Sequence, residues 1–208
     1  SEYINALSHL NIGGQKRACE LLLQSANYGY SQAQSTYDQR CNWFFFMMSK
    51  KIAIIGLGYV GLPLANAFSK KFKVIGYDND LKKVEELNNC VDKTNQLDNQ
   101  KLKSFLNRVK LTNRSEEILG CNIYIITVPT PVNNFKKPDL SFLLDATKMV
   151  GAILKEGDII IYESTVYPGC TEEDCVPLLE SISGLKYNQD FFCGYSPVSY
   201  THLRAHET

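Results

Sequence analysis

Lys51-Ile52-Ala53-Ile54-Ile55-Gly56-Leu57-Gly58-Tyr59-Val60-Gly61 is a short apolar run that ends directly in G-x-G-x-x-G. A buried strand followed by that glycine spacing prepares a chain to hold a dinucleotide pyrophosphate. The first glycine permits a tight turn, the second lets the backbone approach the phosphates, and the third lets helix and strand pack closely. The orphan amides at the start of the following helix then face the anion. Gly56, Gly58, Tyr59, Val60 and Gly61 are therefore the expected pyrophosphate loop.

The sequence on either side fits this reading. Leu62, Leu64, Ala65 and Phe68 form a helical apolar stripe, Pro63 falls in the first turn, and Lys70-Lys71 are expected to close the helix at its negative end. A second strand, Phe72 to Tyr77, ends at Asp78, 20 positions after Gly58. An acid there can accept hydrogen bonds from the adenine ribose hydroxyls and would repel a 2′-phosphate, which favours NAD over NADP.

Downstream, the pattern keeps alternating. Helices are expected at Leu81 to Asn89 and around Leu102 to Val109, followed by a strand near Lys110-Leu111 and a short helix capped by Ser115. Cys121 to Val128 is a near-continuous apolar run, as in a strand buried on both faces of a parallel sheet, and it ends in Pro129-Thr130-Pro131. Asp139 is placed to cap a helix over Leu140 to Leu154. Ile159 to Tyr162 is the next strand, ending in Glu163-Ser164-Thr165. A helix is expected over Glu172 to Ser181, with Pro177 as a kink or a first-turn residue, and Phe191 to Gly194 gives a sixth strand. The fold class is α/β, a doubly wound parallel sheet of the Rossmann type.

Bulk properties exclude several functions. Lys plus Arg and Asp plus Glu are equal at 22 each, so no charge excess points to nucleic acid or an anionic membrane. The apolar block Trp43 to Met48 is too short to span a bilayer, and no signal-peptide pattern precedes it. The seven cysteines are odd in number and loosely spaced, so reduced thiols and a cytoplasmic location are expected. Cys170 and Cys175 lack the second ligand pair of a zinc site, and no metal is expected. The three histidines, His9, His202 and His206, lie outside the alternating core, so no Ser-His-Asp or Cys-His mechanism can be built from residues 48–197.

Composition divides the chain in three. Residues 1–47 are rich in Gln, Ser, Asn and Tyr, and Ala26 to Gln34 faintly resembles one unit of a Sel1-type helical repeat. One unit cannot bury its own face, so upstream sequence joined by a mistaken start or a gene-fragment fusion is the favoured expectation. Residues 48–197 hold the dinucleotide-binding domain, with Met48 placed as a natural start. Residues 198–208 break the pattern abruptly; they resemble a translated sequencing adapter, and an artefactual tail is expected there.

Taken together, residues 48–197 resemble the N-terminal domain of the UDP-glucose/GDP-mannose dehydrogenase family. The resemblance rests on KIAIIGLGYVGLPLA at 51–65, GYD at 76–78, ITVPTPV at 126–132, PDLS at 138–141, YESTVYPGCTEE at 162–173 and FFCGYSP at 191–197. The last two are most similar to the branch acting on UDP-N-acetylhexosamines in polysaccharide synthesis. The resemblance implies oxidation of a sugar C6 alcohol to a carboxylate in two steps, with NAD as hydride acceptor. It implies that Lys83 supports Asp78 at the adenine ribose, that Val128, Pro129 and Thr130 line the cofactor pocket, and that Thr165 is a catalytic residue beside the nicotinamide. It also implies a UDP-sugar substrate and a homodimer or higher homo-oligomer for the intact parent.

The chain departs from the family pattern in several places. Val198 stands where the family has a glutamate after Ser-Pro. The Gly-rich motif with the catalytic cysteine, the downstream lysine and asparagine, the interdomain dimer helix and the UDP-binding domain are not found in this sequence. A fragment that stops before the substrate domain, inactive alone, is the expectation. The rival readings are another dehydrogenase of hydroxyacid or 6-phosphogluconate type, a non-catalytic NAD-binding module, and an interaction module built on residues 1–47.

Overall fold

The computed structural model describes residues 50–131 and 138–196. The expectations for residues 1–47, Pro197 and the 198–208 tail lie outside the described residues. Six strands alternate with helices: β1 Lys51–Ile55, α1 Gly61–Phe68, β2 Lys73–Tyr77, α2 Leu81–Asn88, α3 Asn99–Leu106, β3 Val109–Thr112, β4 Ile123–Ile126, α4 Ser141–Gly151, β5 Ile159–Tyr162, α5 Val176–Ser183 and β6 Phe192–Tyr195. Every neighbouring pair is parallel, and the strand order is β3-β2-β1-β4-β5-β6. The chain moves outward from β1 in one direction and then returns to its other side, so the order reverses between β1 and β4. That reversal opens the crevice where a doubly wound sheet takes its ligand.

The period of two along each strand decides which layer it supports. Ile52 and Ile54 of β1, with Ile123 and Ile125 of β4, pack on one face against Leu62 and Ala65 of α1 and Leu102 and Phe105 of α3. Ala53 and Ile55, with Tyr124 and Ile126, pack on the other face against Leu143 and Val150 of α4 and Leu179 of α5. All four β4 residues are buried, which explains why the run carries no polar alternation. Each fully buried isoleucine contributes about 1.5–3 kcal/mol, so the two faces anchor the central strands, whose ends form the crevice.

The fold class matches expectation, and several boundaries differ for local reasons. Helix α1 stops at Phe68, because Lys70 and Lys71 donate to Ala67 and Phe68 in a tighter turn. The two lysines therefore follow the helix instead of closing it. The Ser115 segment is a 3-10 turn with Arg114 at its N-cap position and no side-chain cap. Asp139 acts one residue further out than expected: Leu140 occupies the N-cap position, and Asp139 Oδ1 accepts the Ser141 amide at 2.9 Å. The helix expected from Glu172 is a π-helical turn over Thr171–Cys175, and α5 begins only at Val176. Pro177 lacks the N–H that an α-helical bond to residue 173 requires, and the chain widens just before it.

Candidate cofactor site

The site begins with the β1–α1 connection. Gly56 has φ +97°, a left-handed conformation that disfavours any residue with a Cβ, and its amide donates to the Tyr77 carbonyl at 2.8 Å. A Cβ on Gly61 would lie 1.8 Å from the Gly56 carbonyl oxygen, so the third glycine is fixed by the closeness of loop and helix. A Cβ on Gly58 would meet nothing within 4 Å. The second glycine thus faces open space, which leaves its backbone approachable. Tyr59 is largely exposed at 64%.

The electrostatics of α1 differ from those of its neighbours. Helices α2 and α3 are capped by Asp80 and Asp98, whose carboxylates accept the Lys83 and Lys101 amides. Helix α1 has Val60 at its N-cap position, no side-chain cap, and no acid in its first turn. Helices α4 and α5 also begin without a capping side chain at the N-cap position or a first-turn acid, and α1 is distinguished by adjoining the glycine loop.

Asp78 follows β2 directly and is 4% exposed. Its Oδ2 accepts the Leu57 amide at 2.8 Å and the Lys83 ammonium at 2.9 Å, and its Oδ1 accepts the Asp80 amide at 3.1 Å. The acid therefore staples the glycine loop to the end of β2. Lys83, expected only as a support, pairs with that carboxylate; its side chain is 37% exposed. A carboxylate offers about four acceptor positions. Two are taken on Oδ2 and one on Oδ1, and a swing of the half-exposed Lys83 would free one of them.

Across the sheet reversal, the ends of β4 and β5 are tied together. The Thr130 hydroxyl donates to the Thr165 carbonyl at 2.6 Å, and the Ser164 hydroxyl donates to the Val128 carbonyl at 2.6 Å. Val128 is half-buried, while Pro129 and Thr165 are exposed. Thr130 and Thr165, 35 positions apart, thus stand together. The Thr130 hydroxyl is committed to this contact.

Two site residues escaped the sequence reading. The buried Thr127 hydroxyl lies 3.0 Å from the Ile55 carbonyl and 2.7 Å from the Gly56 carbonyl, sharing its proton with both, and it locks β4 to the glycine turn. The signal was one polar residue closing an apolar strand. Glu163, the residue after β5, is only 7% exposed, and burial pushes its carboxyl above the ordinary glutamate range, although a hydrogen bond with Ser196 offsets part of that.

Four of the five described cysteines are poorly placed to act as a nucleophile; Cys90 is the half-buried exception. Cys121, Cys170 and Cys175 are fully buried, and burial raises each thiol, to about 11 for Cys121 and about 12 for Cys170. Cys193 is likewise pushed up to about 12 by burial. Among the described residues no cluster of three or more His, Cys, Asp or Glu side chains could hold a metal ion. None of the described helices is long and apolar enough to cross a membrane.

Known proteins share this architecture and much of its sequence. The family model for the NAD binding domain of the UDP-glucose/GDP-mannose dehydrogenase family matches residues 50–201. UDP-N-acetyl-D-glucosamine 6-dehydrogenase from Salmonella typhi is 54% identical over 147 residues, covering 71% of this chain and 34% of the relative. The protein of the same name from Pseudomonas aeruginosa is 50% identical over 151 residues, covering 73% of this chain and 36% of the relative. Among solved structures, a UDP-N-acetyl-D-mannosamine dehydrogenase from Pyrococcus horikoshii superposes with a TM-score of 0.67 at 36% identity, over 72% of this chain and 36% of that one. The chain spans about a third of the length of the curated relatives it matches. A glycine loop open at Gly58, an uncapped α1 and a buried acid after β2 all suit a dinucleotide without a 2′-phosphate. The chain belongs to the UDP-glucose/GDP-mannose dehydrogenase family and carries its NAD binding domain.

Proposed function

We propose that this domain holds NAD for the oxidation of a UDP-N-acetylhexosamine, or of UDP-glucose, at C6. The observation that carries the reading is the buried Asp78 carboxylate, which fixes the glycine loop through Leu57 and pairs with the half-exposed Lys83. Bound NAD supplies the hydride acceptor. Gly56, Gly58, Tyr59, Val60 and Gly61 seat the pyrophosphate at the positive end of α1. Asp78 takes the adenine ribose hydroxyls, with Lys83 moving aside or sharing the oxygen. Val128, Pro129 and Thr130 line the crevice beyond the sheet reversal, and Thr165 presents its hydroxyl near the nicotinamide, where it orients water at the reacting carbon.

The N-acetylhexosamine substrate is supported by the two relatives at 50% identity or more, both named UDP-N-acetyl-D-glucosamine 6-dehydrogenases. In the intact parent, C6 passes from alcohol to aldehyde and then, through its hydrate, to carboxylate. Over the two steps one water would be consumed, two hydrides would pass to two NAD and three protons would go to solvent. This chain binds NAD and does not turn over the sugar, since none of its seven cysteines stands in the Gly-rich context of the family's nucleophile. The parent works in the cytoplasm as a homodimer or higher homo-oligomer. Residues 1–47 and 198–208 lie outside the working domain.

Isothermal titration of the chain with NAD and with NADP tests the cofactor assignment. Saturable binding of NAD, with NADP weaker by about tenfold or more, is expected. Equal affinity for the two would overturn the role given to Asp78. An NADH-formation assay with UDP-GlcNAc tests inactivity, and sustained turnover would overturn it.

A further inference from the structure

The segment Ser164–Tyr167 has no regular secondary structure, yet each of its four residues is fastened by one side-chain hydrogen bond. Ser164 donates to Val128, the Thr165 carbonyl accepts from Thr130, the Val166 carbonyl accepts from the Tyr195 hydroxyl at 2.9 Å, and the Tyr167 hydroxyl donates to the Asp174 carboxylate. The anchors come from the end of β4, the end of β6 and the π-helical turn. A loop this exposed is ordinarily mobile; this one is held from three sides.

The position of the loop gives the tethering a use. Asp78, at the end of β2, fixes the adenosine half of a dinucleotide on the β1–β2 side of the sheet. A dinucleotide crossing the reversal at β1–β4 brings its second half over the ends of β4 and β5. Thr165 stands there. Tyr195 lies one strand further out and is 40% exposed. It reaches across 29 positions of sequence to one backbone carbonyl. The neighbouring Ser196 adds a second fastening, its amide donating to the Tyr162 carbonyl at 3.0 Å.

We infer that Tyr195 is a positioning residue: by holding the Val166 carbonyl it sets Thr165 as a fixed wall for the nicotinamide half of the cofactor. The inference rests on the NAD reading above and deepens it. Tyr195 touches no cofactor atom; it acts through the loop. Removing its hydroxyl leaves the ring, and the Val166 carbonyl can turn to water, so the fold is spared.

The test compares NAD with ADP-ribose, which lacks the nicotinamide and depends only on the glycine loop and Asp78. The full chain and its Tyr195→Phe variant are titrated with both ligands, and both melting temperatures are measured. The wild type is expected to bind NAD more tightly than ADP-ribose. In Tyr195→Phe, NAD is expected to weaken by roughly 3–10-fold, the span of one lost neutral hydrogen bond, with ADP-ribose affinity and melting temperature unchanged. Parallel losses for both ligands, or no loss for either, would overturn the positioning role. Wild-type binding of ADP-ribose with no gain for NAD would overturn the wall while leaving the cofactor site intact. Binding of neither ligand by the wild type would overturn the NAD reading and this inference with it.

Discussion

The Asp78 carboxylate accepts the Leu57 amide at 2.8 Å across 21 positions of sequence, so the acid expected to select the cofactor also builds the loop that receives it. The two roles separate by substitution. Asp78→Ala leaves the buried Leu57 amide without a partner, a loss of about 1–3 kcal/mol. Lys83→Met removes the half-exposed partner but leaves the buried carboxylate its two amide donors, and is expected to cost less than Asp78→Ala. Urea denaturation of both variants reads the order, and equal losses would contradict the staple.

The three glycines are not equivalent, and two alanine variants show it. Gly61→Ala sets a Cβ 1.8 Å from the Gly56 carbonyl oxygen and 2.5 Å from the Thr127 hydroxyl, and backbone must shift. Overpacking of this kind costs about 1–3 kcal/mol or more, and the variant is expected to melt early. Gly58→Ala meets nothing in the protein, so its stability is expected to match the wild type while NAD affinity falls by about tenfold or more. Paired thermal melts and NAD titrations check both halves.

Much of this site was legible beforehand. The strand, the glycine spacing, the second strand and Asp78 follow local rules, and the alternation of strands and helices carries the doubly wound parallel class. What escaped was non-local or set by backbone competition. The Asp78–Leu57 bond forms only when the loop folds over β2. The Thr127 hydroxyl gains its role from β1, 71 and 72 positions away. Tyr195 gives no periodic signal, since its function lies in a carbonyl on another loop. The π-helical turn before Pro177 depends on which carbonyl a missing N–H would have sought, and an apolar pattern does not carry that information.

Glu163 makes stability depend on pH in a defined direction. Its folded pKa lies above its ordinary value near 4.5, chiefly through burial. An acid shifted upward stabilises the fold fully below its unfolded pKa, and that contribution is lost as pH rises through the folded value. Glu163→Gln removes the titration. The stability of the wild type relative to Glu163→Gln is therefore expected to fall as pH rises from the ordinary glutamate value through the higher folded one. Urea denaturation across that range measures it, and a constant difference would show that Glu163 titrates normally.

The buried thiols give a chemical readout of the same core. Cys121 and Cys170, held near 11 and 12 by burial, carry almost no thiolate at neutral pH. Alkylation at these two positions, followed by peptide mass spectrometry, is expected to be at least about 100-fold slower in the native chain than in denaturant. Rapid native labelling of Cys170 would mean that the turn ahead of α5 opens readily.

The staple also constrains redesign of coenzyme choice. Admitting a phosphorylated ribose calls for replacing the acid after β2 with a neutral or basic side chain. In this domain that exchange also detaches Leu57, whose side chain is fully buried in the core while its amide hangs on Asp78. A successful redesign must first give the Leu57 amide another acceptor. Asn at position 78 is the smallest change that supplies one, because it keeps a carbonyl oxygen and discards the charge.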